Sequence, residues 1–275
     1  QACDALGPDH PDTLASRNSL AGAYRDAGRL DKAIALYEQN LEDSIRVLGT
    51  DHPSTLTSHF NLAGAYRASC RLDEAILLYE HVVTGRSRVL GPDHRSALTA
   101  RDDLAATYWE AGRIDEAITL KKQILADAMR IMGPDSSGAS AARLNLAATY
   151  RAAGRLDEAI TLYQENLDDV ARTLGLDHPD TLTARNQLAG AYRDAGRLDE
   201  AIALYQQNLT DVTRLVGPDH PHTLRSRSTL ASTYRDADRL DEAISLFEQD
   251  LEDRTRILGL DHPGTLASRH SLAGA

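Results

Sequence analysis

A Leu-Gly pair or a close relative of it returns every 42 residues, at Gly7, Gly49, Gly91, Gly133, Gly175, Gly217 and Gly259. This period constrains the 275-residue chain more than any other feature. Residues 7–48 and 175–216 match at 31 of 42 positions. The scarce residues keep the same spacing: all ten tyrosines fall at counterparts of Tyr24 or Tyr37, and all nine prolines in the Gly-Pro-Asp-His-Pro connector. So repetitive a chain leaves almost nothing for a separate domain, and the usual reckoning of about 150 residues per domain does not apply. The expected organisation is a single repeat array over 1–275. It comprises the end of a preceding helix at 1–6, six units at 7–48, 49–90, 91–132, 133–174, 175–216 and 217–258, and the start of a seventh at 259–275. Because both ends cut through a unit, a fragment of a longer array is expected.

Within one unit, Pro11 suits a first helical turn, and Leu14, Leu20, Ala21, Tyr24 and Ala27 follow at helical spacing up to Gly28. This predicts helix A at about 11–27. Leu30, Ala33, Ile34, Tyr37, Leu41 and Leu48 trace a second apolar stripe, helix B at about 30–48. Asp31 in its first turn and Arg46 in its last complement the helix dipole, and Gly49 is expected to supply a left-handed stop. A helix pair with one stripe on each member cannot bury both alone, so successive pairs must stack. The predicted fold is all-α, a right-handed superhelical solenoid of helix-turn-helix repeats. Helix A is expected to line the concave side, with Ala21, Gly22 and Ala23 admitting a close neighbour.

The run Leu20-Ala21-x-x-Tyr24-x-x-x-Gly28-x-Leu30-Asp31-x-Ala33-Ile34-x-x-Tyr37 resembles the tetratricopeptide repeat. The longer unit with its Leu-Gly-x-Asp-His-Pro connector is similar to the subclass found in kinesin light chains and their bacterial relatives. The resemblance covers essentially the whole chain. It implies a protein or peptide partner held on the concave face, and no chemistry. The chain departs from the kinesin light chain pattern where that subclass carries paired asparagines before the helix A leucine. Here Asn61 and Asn145 stand immediately before it, and Asn18 and Asn186 one residue earlier.

Composition removes other classes. A net charge of -11 argues against a general nucleic-acid binder, which needs a basic face for phosphates. No apolar run approaches the ~18 residues of a membrane span. Two cysteines, Cys3 and Cys70, make neither a disulfide framework nor a four-ligand zinc site, and point to a reducing, cytoplasmic setting. No cofactor is expected. A catalytic centre brings unlike residues together once, whereas each unit here offers nearly the same side chains, and no nucleophile elbow, phosphate loop or His-Glu-x-x-His occurs. The chain is therefore read as non-enzymatic.

Histidine recurs at His10, His52, His94, His178, His220 and His262. Stacked helices lie roughly 8–10 Å apart, too far for neighbouring copies to share a zinc with ~2 Å bonds, so these are read as helix caps. One arginine ladder, Arg17, Arg101, Arg143, Arg185, Arg227 and Arg269 with His59 in the gap, lies on the apolar face and is read as bound to helix B acids. The second, Arg25, Arg67, Arg151, Arg193 and Arg235, lies off that stripe and is expected to face the groove, although a local acid such as Asp26 is the competing partner. Helix B, with Glu38, Glu42 and Asp43, is expected to give an acidic back.

Repeat three breaks the pattern most, with Trp109 in the groove arginine position, Asp102 and Asp103 in place of the polar pair, and Lys121 in place of a tyrosine. A tryptophan in a groove is a residue type typical of binding hot spots, and drift in one copy of a redundant array is the alternative. The candidate peptide-binding set is thus Asn18, Arg25, Asn61, Arg67, Trp109, Asn145, Arg151, Asn186, Arg193 and Arg235. The expected occupant is an acidic extended segment of a protein. The competing expectation is a structural or sensor array with an empty groove. Weak head-to-tail self-association is also expected, through Leu266, Leu272 and Ala273 at one end and Ala2, Ala5 and Leu6 at the other.

Overall fold

The computed structural model describes Gly7 and residues 10–274; Cys3 and the stub with Ala2, Ala5 and Leu6 lie outside the described residues. These residues form thirteen helices and no strands. In chain order they are α1 (Pro11–Asp26), α2 (Leu30–Leu48), α3 (Pro53–Ala68), α4 (Leu72–Leu90), α5 (Arg95–Glu110) and α6 (Ile114–Met132). Then follow α7 (Ser137–Ala152), α8 (Leu156–Leu174), α9 (Pro179–Asp194), α10 (Leu198–Val216), α11 (Pro221–Asp236), α12 (Leu240–Leu258) and α13 (Pro263–Ala273). Odd-numbered helices are helix A and even-numbered ones helix B, within one residue of the predicted bounds. The contacts cluster into two compact units, Gln1–Gly133 and Pro134–Ala275. The division falls at the connector where Ser136-Ser137-Gly138 replaces the His-Pro sequence. Within each unit, successive helices pack on one another.

The histidines are caps. His10, His52, His94, His178, His220 and His262 each hold extended backbone, and each ring Nδ1 accepts the amide two residues on at 3.0–3.2 Å. Ser136 does the same through its hydroxyl, accepting from Ala139 N at 3.2 Å. An orphan donor of the first turn is thereby met at every helix A.

Helix A ends in a Schellman turn. Arg29 N donates to Tyr24 O at 2.8 Å and Gly28 N to Arg25 O at 2.9 Å, with Gly28 at φ 72°. The equivalent residues Cys70 and Asp238 take the same left-handed backbone with a side chain, at φ 61° and 57°. Gly49 differs from expectation: its φ of 87° is positive but its ψ of 159° is extended. The chain must run straight out of helix B toward the His52 cap, and this backbone region is open to glycine alone.

The core forms at fully buried alanines, Ala21 and Ala33 in repeat one and Ala63 and Ala75 in repeat two, with Tyr37, Tyr79 and Phe247 nearly as buried. Truncating such an aromatic costs about 3–5 kcal/mol. Leu20 departs from the predicted stripe: it is 50% exposed, whereas its copies Leu62, Leu104, Leu146, Leu188 and Leu230 are buried. In the first described helix, α1, it has no described preceding helix B to cover it. Leu272, expected to be exposed, packs partly against the Tyr234 and Phe247 cluster, while Leu266 is 47% exposed.

Strain at the helix A stop is measurable. Cys70→Gly is expected to stabilise the protein by about 1 kcal/mol in urea unfolding, and Asp238→Gly by less, because aspartate tolerates the left-handed region better.

Candidate partner-binding face

The two arginine ladders have different partners. The first is internal to each repeat. Arg17 pairs with Asp43 at 2.5 Å, Arg101 with Asp127 at 2.5 Å, Arg143 with Asp169 at 2.8 Å, Arg185 with Asp211 at 2.7 Å and Arg227 with Asp253 at 2.6 Å. These side chains are largely buried, as the expected helix A to helix B pairing requires. Burial alone would raise the Asp43 carboxyl, but hydrogen bonds from Arg46 and Arg17 outweigh it and hold its pKa below the usual range. The expected acidic back is accordingly reduced. Asp43 is spent on two arginines, and Glu38 accepts the Tyr66 hydroxyl at 2.6 Å.

Repeat two changes this pair as a set. His59 replaces the arginine and Gly85 the aspartate, and the fully buried Leu56 lies 2.6 Å from where a Cβ on Gly85 would sit. His59 Nδ1 lies 3.0 Å from Thr55 O, and its ring is 4.5 Å from that of His81. Burial pushes the His59 pKa down, and His81 pushes the same way against the Thr55 bond. Beside them the Arg86 guanidinium lies 4.5 Å over Phe60 and donates to Ser96 O at 3.0 Å.

The second ladder joins one repeat to the next. Arg67 pairs with Glu110 at 2.6 Å and Asp103 at 3.3 Å, Arg151 with Asp194 at 2.5 Å, and Arg193 with Asp236 at 2.5 Å. The acid is the last residue of the following helix A. Position 68, where Arg25 would find its acid, holds alanine, and Arg25 pairs with its own neighbour Asp26 at 3.1 Å. Arg235 lies 5.8 Å over Phe247. The asparagines divide likewise: Asn61 Nδ2 donates to Asn18 Oδ1 at 3.0 Å, while Asn145 is exposed and Asn186 half-buried. Trp109 is half-buried on α5. A cavity of about 390 Å³ brings Arg25, Asn61, Arg67 and Ala68 together with Phe60 and Glu110 in the first unit. Asp103 lines it too, its carboxyl pushed up by burial against the pull of Arg67 and Arg86.

The acids Glu110, Asp194 and Asp236 are the part of this face that periodicity did not single out. Their signal was present as an offset of one residue more than the period.

A family model described as tetratricopeptide repeat matches residues 1–42, 12–87, 78–129, 138–210 and 181–252. The chain belongs to the tetratricopeptide repeat family. The chain is similar to three solved structures. A putative kinesin light chain of nearly identical repeats from Podosopora anserina is 27% identical over 90% of this chain and 98% of its own, with a TM-score of 0.40. BtubC from P. vanneervenii is 19% identical over 85% of this chain and 94% of its own, at 0.57. A signal transduction ATPase with numerous domains and a tetratricopeptide repeat sensor, from Pyrococcus horikoshii, is 16% identical over 96% of this chain and 38% of its own, at 0.60. The last two share the fold. No curated protein matches the chain. No described helix is long and apolar enough to cross a membrane. Tetratricopeptide arrays are in general protein-interaction modules, typically without catalysis.

Two measurements follow from this geometry. With its pKa lowered in the folded state, His59 binds fewer protons there than in the unfolded chain, whose histidine titrates near 6.5. Its contribution is therefore complete above that pH and lost as pH falls below it. Unfolding followed by the single tryptophan, Trp109, is expected to show stability falling between about pH 7 and 5, and His59→Gln to flatten that fall. Separately, since the connector histidines cap helices, a chelator is expected to leave the melting temperature unchanged.

Proposed function

We propose that this chain is a non-enzymatic scaffold whose helix A face holds an extended segment of a protein partner, with an acidic side chain of that segment at Arg25. The observation that carries the reading is alanine at position 68. At Arg67, Arg151 and Arg193 the next helix A supplies a carboxylate, and at Arg25 it does not. The array's own Glu110, Asp194 and Asp236 are thus a template for what a ligand would bring. The competing pair is weak: Asp26 is 72% exposed, and an exposed ion pair contributes about 0–1 kcal/mol. The adjoining cavity offers Phe60 and Asn61 for the flanking residues. The near-identical units favour a scaffold over an enzyme, and the net charge of -11 disfavours nucleic acid. A cytoplasmic setting suits the exposed free thiol of Cys70.

A second reading, a structural or self-assembling array, is favoured by the pairing of Arg67, Arg151 and Arg193 between repeats. It is favoured too by the apolar residues exposed near helix B ends, such as Val89, Ile131, Leu215 and Ile257.

Fluorescence anisotropy with a labelled peptide bearing an acid at every third position separates the two. Binding is expected to weaken with salt. Ala68→Asp, which restores the array's own acid, is expected to weaken it further, whereas Ala68→Ser is not. A basic peptide binding equally well overturns the acidic reading. Absence of peptide binding combined with concentration-dependent sedimentation supports the second.

A further inference from the structure

The same crevice occurs twice, three periods apart, at the opposite end of helix A from the Arg25 ladder. The first lies among α1, α2 and α3 with a volume of about 230 Å³, and the second among α7, α8 and α9 with about 450 Å³. Every residue lining the first has its counterpart lining the second. The difference in size has a cause in the sequence. Leu14 recurs as leucine in every other unit, but in repeat four its counterpart is Ser140.

The floor of each crevice is a helix B asparagine, Asn40 in one and Asn166 in the other, each 2% exposed. In the first, Asn40 Nδ2 donates to Ser58 Oγ of the next helix A at 3.1 Å. At this pair of positions Val82 has Ala100 as its counterpart, Asp250 accepts from Ser268 at 2.5 Å, and Asn208 has Ser226, although neither of its amide atoms is bonded. Asn166 is mismatched, because its counterpart is Ala184. Its Oδ1 accepts from Ser140 at 2.6 Å, and Nδ2 is left with no protein acceptor among the described residues. Asn166 lines the crevice, so an occupant that covers its amide without offering an acceptor leaves the donor unmet, and one that accepts from it does not.

We propose that this crevice is a receptor for a carboxamide side chain, glutamine or asparagine, of a partner segment. The carboxamide oxygen accepts from Asn166 Nδ2, and its NH2 group donates to the Ser140 hydroxyl oxygen or to the rim, whose charged groups are Asp135 and Asp180. A carboxylate is disfavoured by those two acids, an ammonium has no acceptor for Asn166, and an alkyl group leaves the donor unmet. Ala141, Leu144 and Ala184 line the path for the methylenes. The assignment rests on the interaction reading above, and it makes no use of Arg25 or Ala68.

The test titrates the intact protein with N-acetyl-glutamine N-methylamide, with the glutamate and norleucine analogues as controls. The readout is the Asn166 side-chain amide resonance, assigned by its loss in Asn166→Asp. The glutamine probe is expected to bind roughly fivefold tighter than norleucine, the worth of about one hydrogen bond, and tighter still than glutamate. Ala184→Ser, which gives Asn166 the acceptor that Asn40 already has, is expected to erase the preference for glutamine over norleucine. Ser140→Leu, which restores the residue of the other units, is expected to fold normally and to abolish binding of all three. Equal binding of norleucine, a preference that survives Ala184→Ser, or no shift at Asn166 would each overturn the proposal. The Arg25 reading fails on a different variant, Ala68→Asp, so the two failures are distinguishable.

Discussion

Close helix approach at alanine is the constraint on which the rest depends. Ala21, Ala33, Ala63, Ala75, Ala189 and Ala201 have no exposed surface, and each lies where one helix crosses the next. With only a methyl group between backbones, helices sit near enough for fixed-length polar side chains to bridge them. Tyr66 then reaches Glu38 of the preceding helix B, and Arg17 reaches Asp43 within its own repeat. A larger side chain at Ala63 would cost about 1–3 kcal/mol in overpacking. It would also part several of these bridges at once, because each was set to one helix spacing. Burial and the hydrogen bond to Glu38 together push the Tyr66 hydroxyl up to about 12.

The helix bounds were legible because the sequence writes its stops and starts as residues. His10 and Pro11 open helix A, and Gly28 closes it, so local chemistry and tertiary structure agree at every repeat. Positions set by a neighbouring helix were harder to read. Leu20 belongs to the apolar stripe by spacing and is nevertheless half exposed, because exposure depends on a helix outside its own unit. The extended ψ of Gly49 follows from where the next cap must lie, which a left-handed stop signal does not encode.

The candidate face was legible in residue type and less so in state. Periodicity grouped Arg25, Arg67, Arg151, Arg193 and Arg235 at one position of the repeat and treated them as equivalent. Their partners lie one residue beyond a full period, and those partners vary: glutamate at 110, aspartate at 194 and 236, alanine at 68. Whether an arginine is occupied or available is thus a property of a pair of units. The acidic back is reduced for the same reason, since Asp43 and Glu38 are bridge members.

Pairwise matching gives the array its internal logic. In repeat two, His59 and Gly85 replace the arginine and the aspartate together, so that no aspartate is left without its arginine. Val82 with Ala100 and Asn40 with Ser58 are likewise apolar with apolar and polar with polar. Against so consistent a rule, a polar group whose counterpart cannot answer it stands out. Arg25 opposite Ala68 and Asn166 opposite Ala184 are two such places, and each adjoins a cavity. A guanidinium held only by its exposed neighbour Asp26 and an amide donor opposite alanine contribute little to the stability of a stack that could have matched them with one substitution. At both positions one substitution in the next helix A, at Ala68 or Ala184, would place there the polar residue type that other repeats carry.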